Sequence, residues 1–157
     1  MGVLRNVYRS HLHEEFIQSL VSPESANLPA AFGTIRELMC FAAVLGYEMD
    51  RYEPLDRAQG VEDIGINVFE NNNSDDLIYT LAVAHTGSTD VLKSSSEIDM
   101  VEIFEGYANA GLSLLKSWST QYRSQRGFQS IIQGLFDNSF ISEDTVDREK
   151  LINAVSF

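Results

Sequence analysis

The chain has 157 residues, of which 44% are hydrophobic and 22% are charged, proportions that are typical of one soluble globular domain. Its 23 acidic and 11 basic side chains give a net charge of -12, which argues against direct binding of nucleic acid, because that affinity comes mainly from Lys and Arg on phosphates. No run approaches the roughly 18 consecutive apolar residues of a membrane span, and a single cysteine excludes an internal disulfide.

The N-terminal segment, MGVLRNVYRSHLHEEF, lacks the apolar core of a secretory signal, so a cytoplasmic location is expected. Ser10 is suited to cap a first helix, HLHEEFIQSLV, whose first turn contains two glutamates that the helix dipole favours. Residues 22–34 are predicted to form a loop-rich connection, because Pro23, Pro29 and Gly33 interrupt regular structure.

A central helix is predicted for residues 35–45, IRELMCFAAVL, with Thr34 as its N-cap and Gly46 as its C-terminal stop. Its apolar residues follow the helical period of about 3.6, and further apolar residues widen the stripe, which favours a position in the middle of the domain. Cys40 lies in this apolar run, without the basic and partly exposed surroundings that activate a thiolate. We therefore expect it to be a buried small hydrophobe that reacts slowly with thiol reagents.

A second loop-rich connection is predicted over residues 50–73, where IGINVF is suited to a short strand, although no partner strand is evident. Ser74 is then predicted to cap a helix, LIYTLAVAH, that runs on to Gly87. Asp75 and Asp76 occupy the first turn of this helix, where the helix dipole favours carboxylates.

The longest predicted helix spans residues 97–120 and is capped by Ser96. A glycine inside a helix costs roughly 1 kcal/mol relative to alanine, yet this helix contains both Gly106 and Gly111. Gly111 lies in an apolar seam, so we predict that it sits at a close helix–helix crossing where an added side chain destabilises the domain. Gly106 lies beside the seam and would face a different helix or a partner. The seam consists of Val101, Phe104, Ala108, Gly111, Leu115 and Trp118.

Two shorter helices are predicted near the C-terminus, in GFQSIIQGLF and DREKLINAV. Together, the predicted elements indicate a mainly α protein. We expect a compact single helical domain over residues 1–157, with about five to six helices and at most one short strand.

Candidate catalytic and metal-binding groups are few. His11 and His13 are two residues apart, so on a helix they point in nearly opposite directions and cannot easily share one ion. His85, Ser88 and Asp90 have the residue types of a serine hydrolase, and this alternative requires their side chains to lie within hydrogen-bond reach. The sequence contains neither a G-x-S-x-G elbow nor a glycine-rich nucleotide-binding loop. We therefore predict no catalytic residue, no metal site and no cofactor.

Acidic residues are concentrated between residues 60 and 105, where only Lys93 opposes them. Asp99, Glu102 and Glu105 are spaced three residues apart on the long helix, and each such like-charge pair disfavours a helix by roughly 0.2–0.5 kcal/mol. The stability of the helix alone therefore does not explain why three carboxylates lie in one row. We therefore predict that these carboxylates belong to a docking face for a basic protein, and a merely solvated surface is the alternative. The full predicted face is Asp75, Asp76, Asp99, Glu102 and Glu105.

Four blocks of the sequence lie within residues 36–118, namely RELMCFAAVLGYEMDRYEPL (36–55), VFENN (68–72), LAVAHTGSTDVLK (81–93) and IFEGYANAGLSLLK (103–116). In this order and spacing they resemble the small bacterial family called Dnd system-associated protein 4. The resemblance implies a bacterial, cytoplasmic accessory protein in anti-phage defence, linked to DNA phosphorothioation and its restriction machinery. It supplies no set of catalytic residues.

The residues and the resemblance together lead us to expect a non-enzymatic accessory or adaptor subunit. It would bind a basic protein subunit of a DNA modification or restriction complex, without direct contact with nucleic acid or membrane. The alternative comes from a different class, an acidic DNA mimic that inhibits a DNA-binding restriction or immune enzyme. Such a mimic requires carboxylates in rows at phosphate-like spacing, whereas an adaptor requires an apolar or mixed patch.

Overall fold

The computed structural model describes residues 3–23, 29–123 and 128–142. Six α-helices and one two-stranded antiparallel sheet make up this part of the chain, which confirms the prediction of a mainly α fold. The helices are α1 (Glu14–Val21), α2 (Ile35–Glu48), α3 (Ile66–Glu70), α4 (Asp75–Thr86), α5 (Met100–Gln121) and α6 (Phe128–Asp137), and the strands are β1 (Val7–Ser10) and β2 (Val61–Ile64). The helix predicted in DREKLINAV lies outside the described residues.

The centre of the fold is the contact between α2 and α5, which carry most of the buried apolar side chains. A Cβ atom added to Gly111 would overlap the carbonyl oxygen of Ala42, and one added to Gly46 would overlap the carbonyl oxygen of Tyr107. Because residue 42 faces residue 111 and residue 46 faces residue 107, the two helices run antiparallel and touch backbone to backbone over one turn. The predicted close crossing at Gly111 is confirmed.

The predicted end of α2 at Gly46 is wrong, since the helix continues to Glu48. The missing side chain of Gly46 serves the contact with α5 and does not stop the helix. Gly87 does follow the last residue of α4, as predicted. It adopts the left-handed conformation with φ 69°, and its N–H donates to the carbonyl of Val83.

The two strands pair antiparallel, with Val7 opposite Ile64. The strand predicted in IGINVF is wrong, because β2 already ends at Ile64 and α3 begins at Ile66. The connection over residues 50–73 therefore contains both β2 and α3. The partner strand β1 comes from residues before the predicted first helix, and its Val7 is completely buried against the core.

The starts of two helices differ in detail from the prediction. Asp99, and not Ser96, caps α5, and one of its carboxylate oxygens accepts from the N–H of Val101 at 3.0 Å. Ser74 does precede α4, but its hydroxyl makes no capping bond and accepts instead from Arg36 at 2.7 Å. A carboxylate at the start of the long helix also interacts favourably with the helix dipole, which explains why Asp99 serves as the cap.

Candidate functional site

Glu105 lies in an ion cluster that joins β1 to α5, and its side chain is only 2% exposed. Arg5 donates hydrogen bonds to both of its carboxylate oxygens, at 2.8 and 2.9 Å, and the backbone N–H of Tyr8 donates another at 2.6 Å. Hydrogen bonding to Glu105 raises the pKa of Arg5, so the guanidinium group stays charged. The prediction that Glu105 contributes to an exposed docking face does not hold, because this carboxylate is saturated by internal donors.

Asp99 also has a structural role. Besides capping α5, it accepts a hydrogen bond from Nε of Arg5 at 2.7 Å. Arg5 therefore offsets the repulsion between Asp99 and Glu105, and stability does account for two of the three carboxylates in the predicted row. Glu102 is the member that remains exposed, with no ion pair to another described residue.

Asp75 and Asp76 lie in the first turn of α4, as predicted, and Glu70 at the end of α3 joins them around Tyr79. Burial first, and then the charges of the three carboxylates, raise the pKa of Tyr79. None of the three forms an ion pair within the described part of the chain. They form a local concentration of negative charge at one end of α4.

A cluster of rings lies at the other end of α4. Tyr107 of α5 is only 8% exposed, and its ring centroid lies 5.5 Å from Tyr47, 5.0 Å from Tyr52 and 5.5 Å from His85, all near edge-to-face. A 2.7 Å hydrogen bond joins the Tyr107 hydroxyl to Nδ1 of His85, and Tyr52 stacks on His85 at 5.2 Å. Val44 lies one turn before Tyr47 on α2. We call Val44, Tyr47, Tyr52 and His85 the aromatic surface.

Three members of the aromatic surface are among the large apolar side chains that stay exposed, with Val44 at 41%, Tyr47 at 38% and Tyr52 at 37%. His85 is exposed as well. Tyr107 forms the buried floor beneath them. Aromatic side chains that are rigid and half exposed are typical anchors of protein–protein interfaces.

Gly106 holds the aromatic surface in place. A Cβ atom at this position would overlap the ring of Tyr52, so only glycine lets the ring pack against α5. The carbonyl of Gly106 also accepts from the N–H of Glu53 at 3.0 Å, and the side chain of Asn109 donates to the carbonyl of Glu53 at 3.0 Å. The prediction that Gly106 faces a different helix or a partner is wrong, because it faces Tyr52 in the connection that follows α2. Sequence reasoning did not identify the aromatic surface that this packing supports.

The predicted acidic face is divided by the fold. Glu102 is close enough to Tyr52 to act on its hydroxyl, and Tyr52 in turn stacks on His85. Asp76 lies nine residues before His85 on α4, roughly 14 Å away at a rise of about 1.5 Å per residue. The structure therefore places Asp75 and Asp76 in the first turn of α4 and Glu102 in the first turn of a different helix, α5.

The three residues of the hydrolase alternative find separate partners. His85 bonds to Tyr107, the hydroxyl of Ser88 accepts from the N–H of Asp90 at 3.1 Å, and the Asp90 carboxylate pairs with Lys93 at 2.6 Å. No hydrogen bond among these described side chains links His85 to Ser88 or Asp90, as a catalytic triad requires. Over the described ranges, no group of three or more His, Cys, Asp or Glu side chains could hold a metal ion.

Comparison with known proteins gives one match. A family model described as DNA sulphur modification system-associated protein 4 matches residues 6–150. The chain belongs to this family. The match extends well beyond residues 36–118, where the resemblance is evident in the sequence, and it includes β1 with Tyr8 and also Glu105, whereas Arg5 lies just before the matched residues. No curated protein and no solved structure matches the chain.

The family is associated with DNA sulphur modification systems, which agrees with the accessory role expected from the sequence. Within the described part of the chain, no helix combines the length and the apolar character needed to cross a bilayer.

Proposed function

We propose that this member of the sulphur modification-associated family is a non-enzymatic accessory subunit that acts in the cytoplasm by binding a basic protein of a modification or restriction complex active in anti-phage defence. The observation that carries the proposal is the set of carboxylates that the fold leaves without a cation. Glu70, Asp75, Asp76 and Glu102 have no ion pair to any other described residue. The net charge of -12 adds a long-range attraction for a basic partner.

The proposal is favoured over a DNA mimic by the way in which the carboxylates are divided. A mimic needs rows of charge that follow a phosphate backbone, but Glu105 is buried and Asp99 is bound to Arg5. What stays on the surface is a mixture of separate carboxylates and exposed aromatic rings. Such a mixture is typical of protein interfaces.

The experiment that tests the proposal is purification of the tagged protein from a host that carries the modification genes, followed by mass spectrometry. We expect a basic protein encoded by those genes to co-purify and to be released as the salt concentration is raised, because salt screens exposed charges. If no protein of the modification or restriction system co-purifies at low salt, the proposal is rejected.

A matched pair of charge reversals refines the test. Asp76→Lys and Glu15→Lys each change an exposed acid at the second position of a helix, so their effects on net charge and on the helix dipole are equivalent. We expect Asp76→Lys to reduce recovery of the partner several-fold and Glu15→Lys to leave it unchanged. Equal losses for the two variants would mean that only overall charge matters.

A further inference from the structure

The aromatic surface and the ion cluster of β1 have a feature in common, a tyrosine ring that lies beside a glutamate of α5. In that cluster, the guanidinium group of Arg57 lies 4.8 Å from the centroid of the Tyr8 ring, and that of Arg5 lies 5.5 Å from it. The carboxylate of Glu105 is next to both, because Arg5 binds it at 2.8 Å and Arg57 approaches it to 3.9 Å. A tyrosine ring beside a glutamate of α5 therefore already binds arginine within this protein.

One turn earlier on α5, Glu102 and Tyr52 form a second pair of the same kind. Glu102 is exposed, and it lies one helical turn before Gly106, against which the Tyr52 ring packs, so Glu102 and Tyr52 share one face of α5. Tyr52 is 37% exposed, and among the described residues no arginine lies over its ring. Asp50 adds a further negative charge beside the floor residue Tyr107. No arginine among the described residues fills at Tyr52 the place that Arg57 fills at Tyr8, and His85 stacks on the Tyr52 ring instead.

The site at Tyr52 is also ordered before any partner binds. Tyr52 packs where Gly106 has no side chain, and two backbone hydrogen bonds fix the loop around it, from Arg51 to Gly46 at 2.8 Å and from Glu53 to Gly106 at 3.0 Å. Glycine is unfavourable inside a helix, and yet Tyr52, which packs against it, stays more than a third exposed. A rigid ring needs little further ordering when a partner binds, which favours affinity.

From these observations we infer that the aromatic surface, together with Glu102, binds an arginine side chain presented by a basic segment of the partner protein. The guanidinium group would pack against the exposed part of the Tyr52 ring and donate hydrogen bonds to the Glu102 carboxylate. Arginine fits better than lysine, because its planar group can stack on a ring and bind a carboxylate through two donors at once. Val44 and Tyr47 would contact the apolar parts of the same segment. This inference rests on the proposed function for the identity of the partner, but not for the chemistry of the site.

The direct test is a titration of the full chain, labelled for NMR, with a tetra-arginine peptide. A tetra-citrulline peptide is the matched control, since citrulline keeps the planar group and loses the charge. We expect the arginine peptide to shift the signals of Val44, Tyr52, His85 and Glu102 and the citrulline peptide to have a much smaller effect. Shifts of equal size with both peptides, or shifts confined to Tyr79 and the carboxylates beside it, overturn the inference.

Two variants locate the contact. Tyr52→Leu removes the ring and Glu102→Gln removes only the charge, and each should weaken binding of the arginine peptide by about threefold to tenfold. Glu102 is exposed, so Glu102→Gln is expected to fold even if Tyr52→Leu does not. Tyr79→Leu, which alters the other tyrosine with carboxylates around it, should have no effect. Unchanged binding by Glu102→Gln overturns the inference.

The same variants separate this inference from the proposed function. If the partner co-purifies with Glu102→Gln as well as with the parent protein, the proposed function stands and the aromatic surface is not its docking site. If the arginine peptide binds at Tyr52 as expected but no protein of the modification system co-purifies, the site stands and the proposed function falls.

Discussion

Gly111→Ala is the most informative single change in the core. The added Cβ would lie 2.8 Å from the Cα of Ala42 and closer still to its carbonyl group. These are backbone atoms in the middle of α2, so no side-chain rotation can relieve the overlap. The two helices would have to move apart, which loosens the packing of every side chain between them.

Two effects of opposite sign decide the magnitude. Alanine gains about 1 kcal/mol over glycine inside a helix, whereas overpacking a core costs about 1–3 kcal/mol. Because the obstacle at Gly111 is backbone, the upper end of that range applies. We expect a net loss of about 2 kcal/mol in the free energy of unfolding, which lowers the Tm of a chain of this size by roughly 4–8 °C.

Thermal unfolding followed by circular dichroism measures this loss. Gly33→Ala is the control, because a Cβ atom there meets only the flexible side chain of Glu37, at 3.0 Å. It should leave the Tm close to that of the parent. A Gly111→Ala variant as stable as the parent protein would refute the backbone contact between α2 and α5.

Three further predictions follow from buried polar groups. Glu105→Gln should lower the free energy of unfolding in urea by about 2–3 kcal/mol, less than for a fully buried ion pair because the Arg5 side chain is 33% exposed. Burial first, and then the charge of Lys116, lowers the pKa of His13 from 6.5, so the unfolded chain takes up a proton more readily than the folded one. Stability should therefore fall as the pH drops below about 6.5, and His13→Gln should remove that part of the fall. Cys40 is half-buried and not fully buried as predicted from the sequence. Burial still raises the pKa of its thiol, so a thiol reagent should label the native protein far more slowly than the protein in urea.

Each of these three predictions has an outcome that would contradict it. In an Arg5→Met background, Glu105→Gln should cost much less, and an undiminished cost would mean that the two side chains are not coupled. Parallel curves of stability against pH for the parent and His13→Gln would exclude a role for this histidine. Equal labelling rates of Cys40 with and without urea would show that α2 is not central.

The helices of the core were predictable because their signals are local. The apolar residues of α2 and α5 recur with the helical period, and Gly111 lies inside the seam, so both the helices and their close contact follow from neighbouring residues. The contribution of Gly46 to the contact between α2 and α5 was not predicted. A glycine near the end of an apolar run is commonly a helix stop, and only the facing helix reveals that Gly46 serves packing instead.

The functional candidates depended on contacts between distant residues. Glu105 looked like a surface carboxylate because its partner Arg5 is 100 residues away in sequence. Likewise, the rings of Tyr47, Tyr52 and His85 come from three separate segments and meet only when the chain folds around Tyr107. Periodicity shows which face of a helix is apolar, but it does not show which distant side chain will neutralise a charge or stack on a ring.

The pairing of β1 has a consequence for the order of events during synthesis. Its backbone bonds to β2 and to Glu105, so the strand cannot complete its contacts until the chain has been extended by about 100 residues beyond Arg5. At the ribosomal rate of about 5–20 residues per second, that delay lasts roughly 5–20 s. β1 can pair with β2 earlier, but Val7 and the backbone N–H of Tyr8 stay uncovered until α5 has been made. The N-terminal strand is therefore the segment through which a nascent chain is most open to chaperone binding or to wrong pairing.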